Sequence, residues 1–241
     1  MVRRLQEMIV PTVEELQEVA GLDIAGFMEP ADEVGGDYYD VLQHHGQVKI
    51  GMGDVTGHGL ESGVLMLMTQ TAVRTLLTSG ETDPIRFMSI LNRMIYDNLQ
   101  RMETNKSLTL SLLDYHRTGH LRVSGQHEEV IVVRKGGEIE LLDTMDLGFP
   151  IGLDDDISEM VDHVLLKLAP GDGVVLYTDG ITEAEDIDGE QYELERMCQM
   201  ISSHWHEPAE AIKDAVIQDL YSFVGNQKIF DDITLLVLKQ K

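Results

Sequence analysis

QVKIGMGDVTGHG, residues 47–59, begins as a strand and ends as a loop. Val48, Ile50 and Met52 alternate with Lys49 and Gly51, the period-2 pattern of a strand with one buried face. The alternation stops at Asp54, which stands among Gly53, Gly57 and Gly59. Immediately upstream, DYYDVLQ (37–43) reads as a second strand, joined to the first by the hairpin-sized His44-His45-Gly46. LDIAGFM (22–28) reads as an earlier one.

Downstream come two helical stretches. The first, 58–79, places Leu60, Val64, Leu67 and Thr71 on one face and Met66, Val73 and Leu77 near a second, which predicts a helix held between two layers. The second, 84–102, carries Met88, Leu91, Ile95 and Leu99 on one stripe, with Asp83 as N-cap and Pro84 in the first turn. Strands are then expected at 107–115, 120–126, 129–135, 138–143, 161–168 and 173–179, helices at 190–203 and 208–224, and a closing strand at 232–240. Strands grouped in this way, rather than alternating with helices, predict an α+β fold with mainly antiparallel sheet. A central antiparallel β-sandwich with helices on both faces, four layers in all, buries every apolar face.

The 241 residues include 43% hydrophobic and 25% charged side chains, ordinary values for a soluble domain. The balance of 18 Lys and Arg against 43 Asp and Glu, a net charge of −25, is not ordinary. Such acidity repels nucleic acid and anionic membranes, and neither is expected as a partner. It suits divalent cations or a basic surface, although most of these carboxylates serve only solubility. Cys198, the single cysteine, excludes an internal disulfide and a cysteine-rich zinc site, and its setting in LERMCQMI predicts half-buried packing. MVRRLQEMIVPTVEELQ carries acids and a proline where a signal peptide has an unbroken apolar stretch, so a cytoplasmic protein is expected. Residues 3–19 read as an amphipathic helix with Leu5, Ile9, Leu16 and Val19 as its apolar positions, interrupted near Pro11. The division expected is a linker or switch helix over 1–20 and one catalytic domain over 21–241. Such a helix can pack on the domain, pair with a second copy to give a homodimer, or lead from an upstream sensor or receiver domain.

Four segments repeat one design, an aspartate at the end of an apolar strand beside glycine or a turn. They are Gly35-Gly36-Asp37, Gly53-Asp54-Val55-Thr56-Gly57-His58-Gly59, Tyr177-Thr178-Asp179-Gly180 and Phe230-Asp231-Asp232-Ile233-Thr234. Any one alone reads as an ordinary turn. Four together point to carboxylates converging on one sheet rim, where like charges cannot all stay ionised without compensation. Oxygen ligands without cysteine or paired histidine select hard cations, Mg2+ or Mn2+. A two-metal centre of this kind binds phosphate and activates water.

EPADEVGGDYYD (29–40), GDVTGHG (53–59), LYTDGITEA (176–184) and FDDITLLVL (230–238) resemble, in order and spacing, the motifs of the bacterial PPM/PP2C phosphatases of the SpoIIE/RsbU type. The resemblance runs from about residue 21 to the end. It implies the PP2C fold, with helices on both outer faces of a pair of antiparallel sheets. It also implies that Asp54 bridges two divalent cations, Mn2+ or Mg2+, and that the Val55 backbone carbonyl and Asp37 complete one site. Asp179 and Asp231 would hold the other, with Asp232 orienting its neighbours. The implied reaction is hydrolysis of phosphoserine or phosphothreonine by direct attack of a bridging hydroxide, with His58 a candidate to protonate the leaving oxygen. The implied partner is a phosphorylated regulator, a STAS-type anti-sigma-factor antagonist.

One motif departs from the family. Its Ala-Gly-His-Pro segment stands here as Ser124-Gly125-Gln126-His127-Glu128, which touches on substrate-side contacts rather than on the metal ligands. The acidic stretch 183–190 reads as an exposed loop near the site. The competing reading is a catalytically degenerate module for binding or dimerisation. A two-metal nucleotidyl transferase or cyclase would want basic residues for a triphosphate, and the four motifs contain none.

Overall fold

The computed structural model describes residues 9–31 and 35–241. The helix expected over 3–19 falls partly outside those residues, and the described part is shorter than expected, a single helix α1 (Val13–Gln17). Proline disfavours helix in the residue before it, and the described helix begins beyond Pro11. Thr12 caps it reciprocally with Glu15: the Glu15 N–H donates to the Thr12 hydroxyl at 3.3 Å and the Glu15 carboxylate accepts the Thr12 N–H at 2.8 Å. Leu16 and Val19 are buried, the latter already beyond the helix end.

Ten strands follow in chain order: β1 (Leu22–Glu29), β2 (Tyr38–His44), β3 (Gln47–Val55), β4 (Leu108–His116), β5 (His120–Ser124), β6 (Val130–Val133), β7 (Ile139–Leu142), β8 (His163–Lys167), β9 (Gly173–Tyr177) and β10 (Ile233–Gln240). They form two five-stranded sheets, ordered β1-β10-β9-β6-β7 and β2-β3-β4-β5-β8, and every pairing is antiparallel. The β2–β3 hairpin turns on His45 and Gly46, both at positive φ (48° and 81°), as a tight two-residue turn between right-twisted strands requires. Between the sheets lies a core that includes Ile24, Ile50, Met52, Leu113, Val123 and Leu236. Each such fully buried aliphatic side chain contributes roughly 1.5–3 kcal/mol.

Helices α2 (Leu60–Thr78) and α3 (Pro84–Met102) cover the β2–β3–β4 side, and α5 (Leu194–His204) and α6 (Ala209–Val224) cover the other sheet. Between β9 and α5 lies α4 (Asp179–Thr182), a single turn that the strand pattern did not show. The expected four-layer α+β arrangement is the one the chain adopts. The α3 stripe is buried as expected, and Asp83 accepts the Arg86 N–H at 2.8 Å.

The reading of α2 as a helix between two layers is corrected. Leu65, Met66, Val73 and Leu77 are buried, whereas Leu60, Val64 and Leu67 are 65%, 40% and 43% exposed. Among the described residues the helix lies in an outer layer, packed on one sheet and not between two. Among the described residues, no helix is long and apolar enough to cross a membrane.

Antiparallel register decides where the acidic motifs meet. Tyr38 pairs with Gly53, so β2 begins where β3 ends. Leu235 pairs with Tyr177, so β10 begins where β9 ends. Both junctions carry aspartates, and hydrogen bonds join the two across the sandwich.

Candidate metal centre

Along β3, Val48, Ile50 and Met52 face the second sheet, and the same alternation turns Asp54 towards it at the strand's end. Asp37, just ahead of β2, is 1% exposed, and its carboxylate accepts hydrogen bonds from the hydroxyls of Thr178, at 2.8 Å, and Thr234. Both threonines belong to the other sheet's edge of the rim, so Asp37 joins the two sheets at the site.

Asp232 is equally buried, 2% exposed. It accepts the Ala31 N–H at 2.8 Å and the Asp37 N–H at 3.3 Å, and so holds both ends of the segment that carries Gly35 and Gly36. No side chain fits there. A Cβ on Gly35 would stand 2.0 Å from the Asp232 carboxylate. One on Gly36 would stand 2.7 Å from the Val55 carbonyl oxygen, 3.1 Å from Asp54 Oδ1 and 3.3 Å from the Gly57 carbonyl oxygen. Three oxygens therefore crowd around one bare backbone position.

The charges act on one another. Burial first, and then the carboxylates of Asp179, Asp231 and Asp232, push the Asp54 pKa up to about 8. Burial, with Asp54 and Asp232 behind it, holds Asp37 well above the usual carboxylate range. Asp179 is raised by burial and then by Asp231 and Glu183, and Asp232 is raised chiefly by burial. The structure thus brings Asp37, Asp54, Asp179 and Asp231 to one rim, with Asp231 the exposed member. Among the described residues no three acidic, histidine or cysteine side chains already stand in ligating positions. The rim is a gathering of negative charge and not a closed cage. His58 is exposed on the loop between β3 and α2, at the surface rather than with the buried aspartates.

This donor set fits hard divalent cations. It offers carboxylate and carbonyl oxygens, a bare glycine against which they approach, and acids that oppose one another's ionisation. An acidic rim by itself repels a phosphate ester, and cations reverse that local sign.

Sequence reasoning did not single out the groups that hold the acids. Thr178 and Thr234 lie inside quoted motifs, yet no spacing rule says that both hydroxyls turn to Asp37 from 141 and 197 residues away. Glu128, in the segment that departs from the family, also reaches the rim. It is half-buried, and its pKa is raised by burial and then by Asp179, Glu183 and Glu129. The stretch 183–190 is largely exposed, and a groove of about 300 Å3 lined by Glu183, Glu185, Gln191, Phe230 and Asp231 runs beside it. Cys198 is half-buried with its thiol pushed up to about 11 by burial and then by Glu129, which fits packing and not nucleophilic chemistry.

Comparison with known proteins agrees with this architecture. The family model described as "Stage II sporulation protein E (SpoIIE)" matches residues 44–241. Phosphoserine phosphatase RsbU of Bacillus subtilis is 27% identical over 225 residues, 91% of this chain and 64% of RsbU. Protein IcfG of Synechocystis is 24% identical over 264 residues, 98% of this chain and 40% of IcfG. The chain therefore spans less than two thirds of the length of either curated relative. The solved SiaA-PP2C domain of Pseudomonas aeruginosa aligns with a TM-score of 0.84 at 22% identity, covering 99% of this chain and 94% of that one, a likeness of fold.

Proposed function

Because the chain belongs to the stage II sporulation protein E (SpoIIE) family, we propose that it is a metal-dependent phosphoprotein phosphatase, hydrolysing phosphoserine or phosphothreonine at the rim of Asp37, Asp54, Asp179 and Asp231. The observation that supports this reading is the crowding of oxygens at the rim, where the Val55 carbonyl and Asp54 Oδ1 close on the bare backbone of Gly36 and burial with neighbouring carboxylates pushes Asp54 up to about 8, an arrangement that cations relieve. Asp54 is the natural shared ligand, since it feels both Asp179 and Asp231 and raises Asp37 in turn. Asp37 and the Val55 carbonyl would complete one cation's protein ligands, and Asp179 and Asp231 the other's. Two Mn2+ or Mg2+ ions bound there supply Lewis acidity for activating water and for neutralising charge on the phosphoryl oxygens.

The remaining contributions come from the chain. Thr178 and Thr234 orient Asp37, and Asp232 fixes the main chain at Ala31 and Asp37. His58, exposed on the glycine loop between β3 and α2, is the candidate proton donor to the leaving oxygen. The related RsbU is named a phosphoserine phosphatase, which makes phosphoserine the first substrate to try. The natural substrate implied is a phosphorylated cytoplasmic regulator of the anti-sigma-factor-antagonist kind.

The test is hydrolysis of p-nitrophenyl phosphate and of a phosphoserine peptide in manganese, magnesium or EDTA. Manganese- or magnesium-dependent turnover that EDTA abolishes supports the reading. Folded protein that is inactive with every metal would favour a binding module instead.

A further inference from the structure

The passage of the chain from one sheet to the other contains a group that the phosphatase reading leaves unused. Leaving β5 in one sheet, the chain runs through residues 125–129 and enters β6 in the other. His127 lies in this crossover, and each nitrogen of its ring meets a different sheet. Nδ1 stands 2.8 Å from the Thr109 hydroxyl near the start of β4, and Nε2 stands 3.1 Å from the Tyr177 main-chain carbonyl at the end of β9. The His127 N–H donates to the Thr144 hydroxyl at 3.0 Å, and the Thr144 hydroxyl donates back to the His127 carbonyl. A carbonyl can only accept, so Nε2 carries the proton and Nδ1 accepts from Thr109. Burial lowers the ring's pKa to about 4, which keeps it neutral.

Both anchors belong to the acidic rim. Thr109 is the register partner of Asp54 across the β3–β4 pair, so the two side chains leave the same face of the sheet as neighbours. Tyr177 leads directly into Thr178, which donates to Asp37 at 2.8 Å, and then into Asp179. Deeper in the sandwich the sheets are spaced by apolar packing. At the rim the facing groups are carboxylates that repel one another, and a planar ring with two opposed hydrogen bonds supplies a fixed distance where packing does not.

We propose that His127 is a positioning residue of this site: it sets the separation between the strand end carrying Asp54 and the strand end carrying Thr178 and Asp179. The proposal rests on the phosphatase reading above. His127 acts through Thr109 and Tyr177, and it touches neither the substrate nor the reacting atoms.

The experiment compares His127→Phe, His127→Gln and Thr109→Val with wild type by manganese titration calorimetry, by kcat and KM on a phosphoserine peptide, and by thermal unfolding without metal. His127→Phe keeps the ring's bulk and loses both bonds, and it should bind Mn2+ about tenfold more weakly, in the range found for outer-shell partners of metal ligands. Its kcat should fall by a similar factor with KM unchanged. His127→Gln retains an amide N–H within reach of the Tyr177 carbonyl and should recover most of both. Thr109→Val should lie between them, and these two carry the comparison if His127→Phe does not fold. Manganese binding and kcat equal to wild type in folded variants, with only the melting temperature lowered, would overturn the proposal and leave a structural staple. A 15N spectrum of the wild-type imidazole with the proton on Nδ1 would overturn it as well. Wild type that binds no manganese would overturn the cation reading and this assignment with it, a result distinct from the first.

Discussion

The hydroxyl of Thr178 donates to the carboxylate of Asp37 at 2.8 Å, joining residues 141 positions apart and the two sheets of the sandwich. Asp37 has almost no solvent, so its charge is supported by this bond and by that from Thr234. Thr178→Val removes the donor to Asp37 and the acceptor of the Thr234 N–H, at 3.1 Å, and keeps the shape. It should lower stability by about 1–3 kcal/mol, the cost of leaving a buried acceptor short of a partner. Thr178→Ser should stay near wild type. Urea unfolding checks both, and an unchanged Thr178→Val would mean that the carboxylate finds solvent.

Gly36 faces the Val55 carbonyl and Asp54 so closely that a methyl group there meets main chain at 2.7 Å. Gly36→Ala should therefore displace the β3 end, costing about 1–3 kcal/mol as overpacking does. Manganese-dependent turnover should fall much further than stability, because two of the expected ligands move. Activity equal to wild type would show that the rim yields without consequence.

Asp232 meets two main-chain N–H groups with two different oxygens, Oδ1 to Ala31 and Oδ2 to Asp37. Asp232→Asn keeps one acceptor and Asp232→Ala keeps none. Activity should fall in the order wild type, Asn, Ala. Proteolysis within residues 29–37 should increase in the same order, and equal protection in all three would contradict the clamp.

Protonation gives a prediction with a definite sign. Asp54 is raised from 3.8 to about 8, and Asp37 and Asp179 are raised with it. Groups of this kind bind more protons in the folded chain than in the unfolded one, so stability falls as pH rises through the window. The penalty is absent below 3.8 and grows as pH approaches about 8. Metal-free Asp54→Asn should consequently melt higher than metal-free wild type at pH 8, and the two should converge at the acid end. Added Mn2+ should reverse the order at pH 8. A metal-free Asp54→Asn less stable than wild type at pH 8 would show that the carboxylates are not opposing one another.

The sequence carried the strands and most of the helices because their burial follows simple periods: Val48, Ile50 and Met52 by twos, Met88, Leu91, Ile95 and Leu99 by threes and fours. It misread α2, where two apolar stripes looked like two packed faces and Leu60, Val64 and Leu67 turn out to lie at the surface. Periodicity reports which side chains are apolar, not how many layers surround them. The acids themselves were legible, since each ends a strand beside a turn. The groups that hold them were not. Thr178, Thr234, His127 and Thr109 act through contacts across the two sheets, and those depend on register and on sheet packing that no local pattern encodes.

The central claim is that these aspartates hold two divalent cations with Asp54 shared between them, and calorimetric titration of the metal-free protein with Mn2+ tests it most directly. The account predicts two ions per chain for wild type. Asp54→Asn should bind at most one, weakened by about a hundredfold, the upper end of what loss of even an outer-shell partner does. Wild type that takes up no manganese, or Asp54→Asn that binds two ions as tightly as wild type, would contradict it.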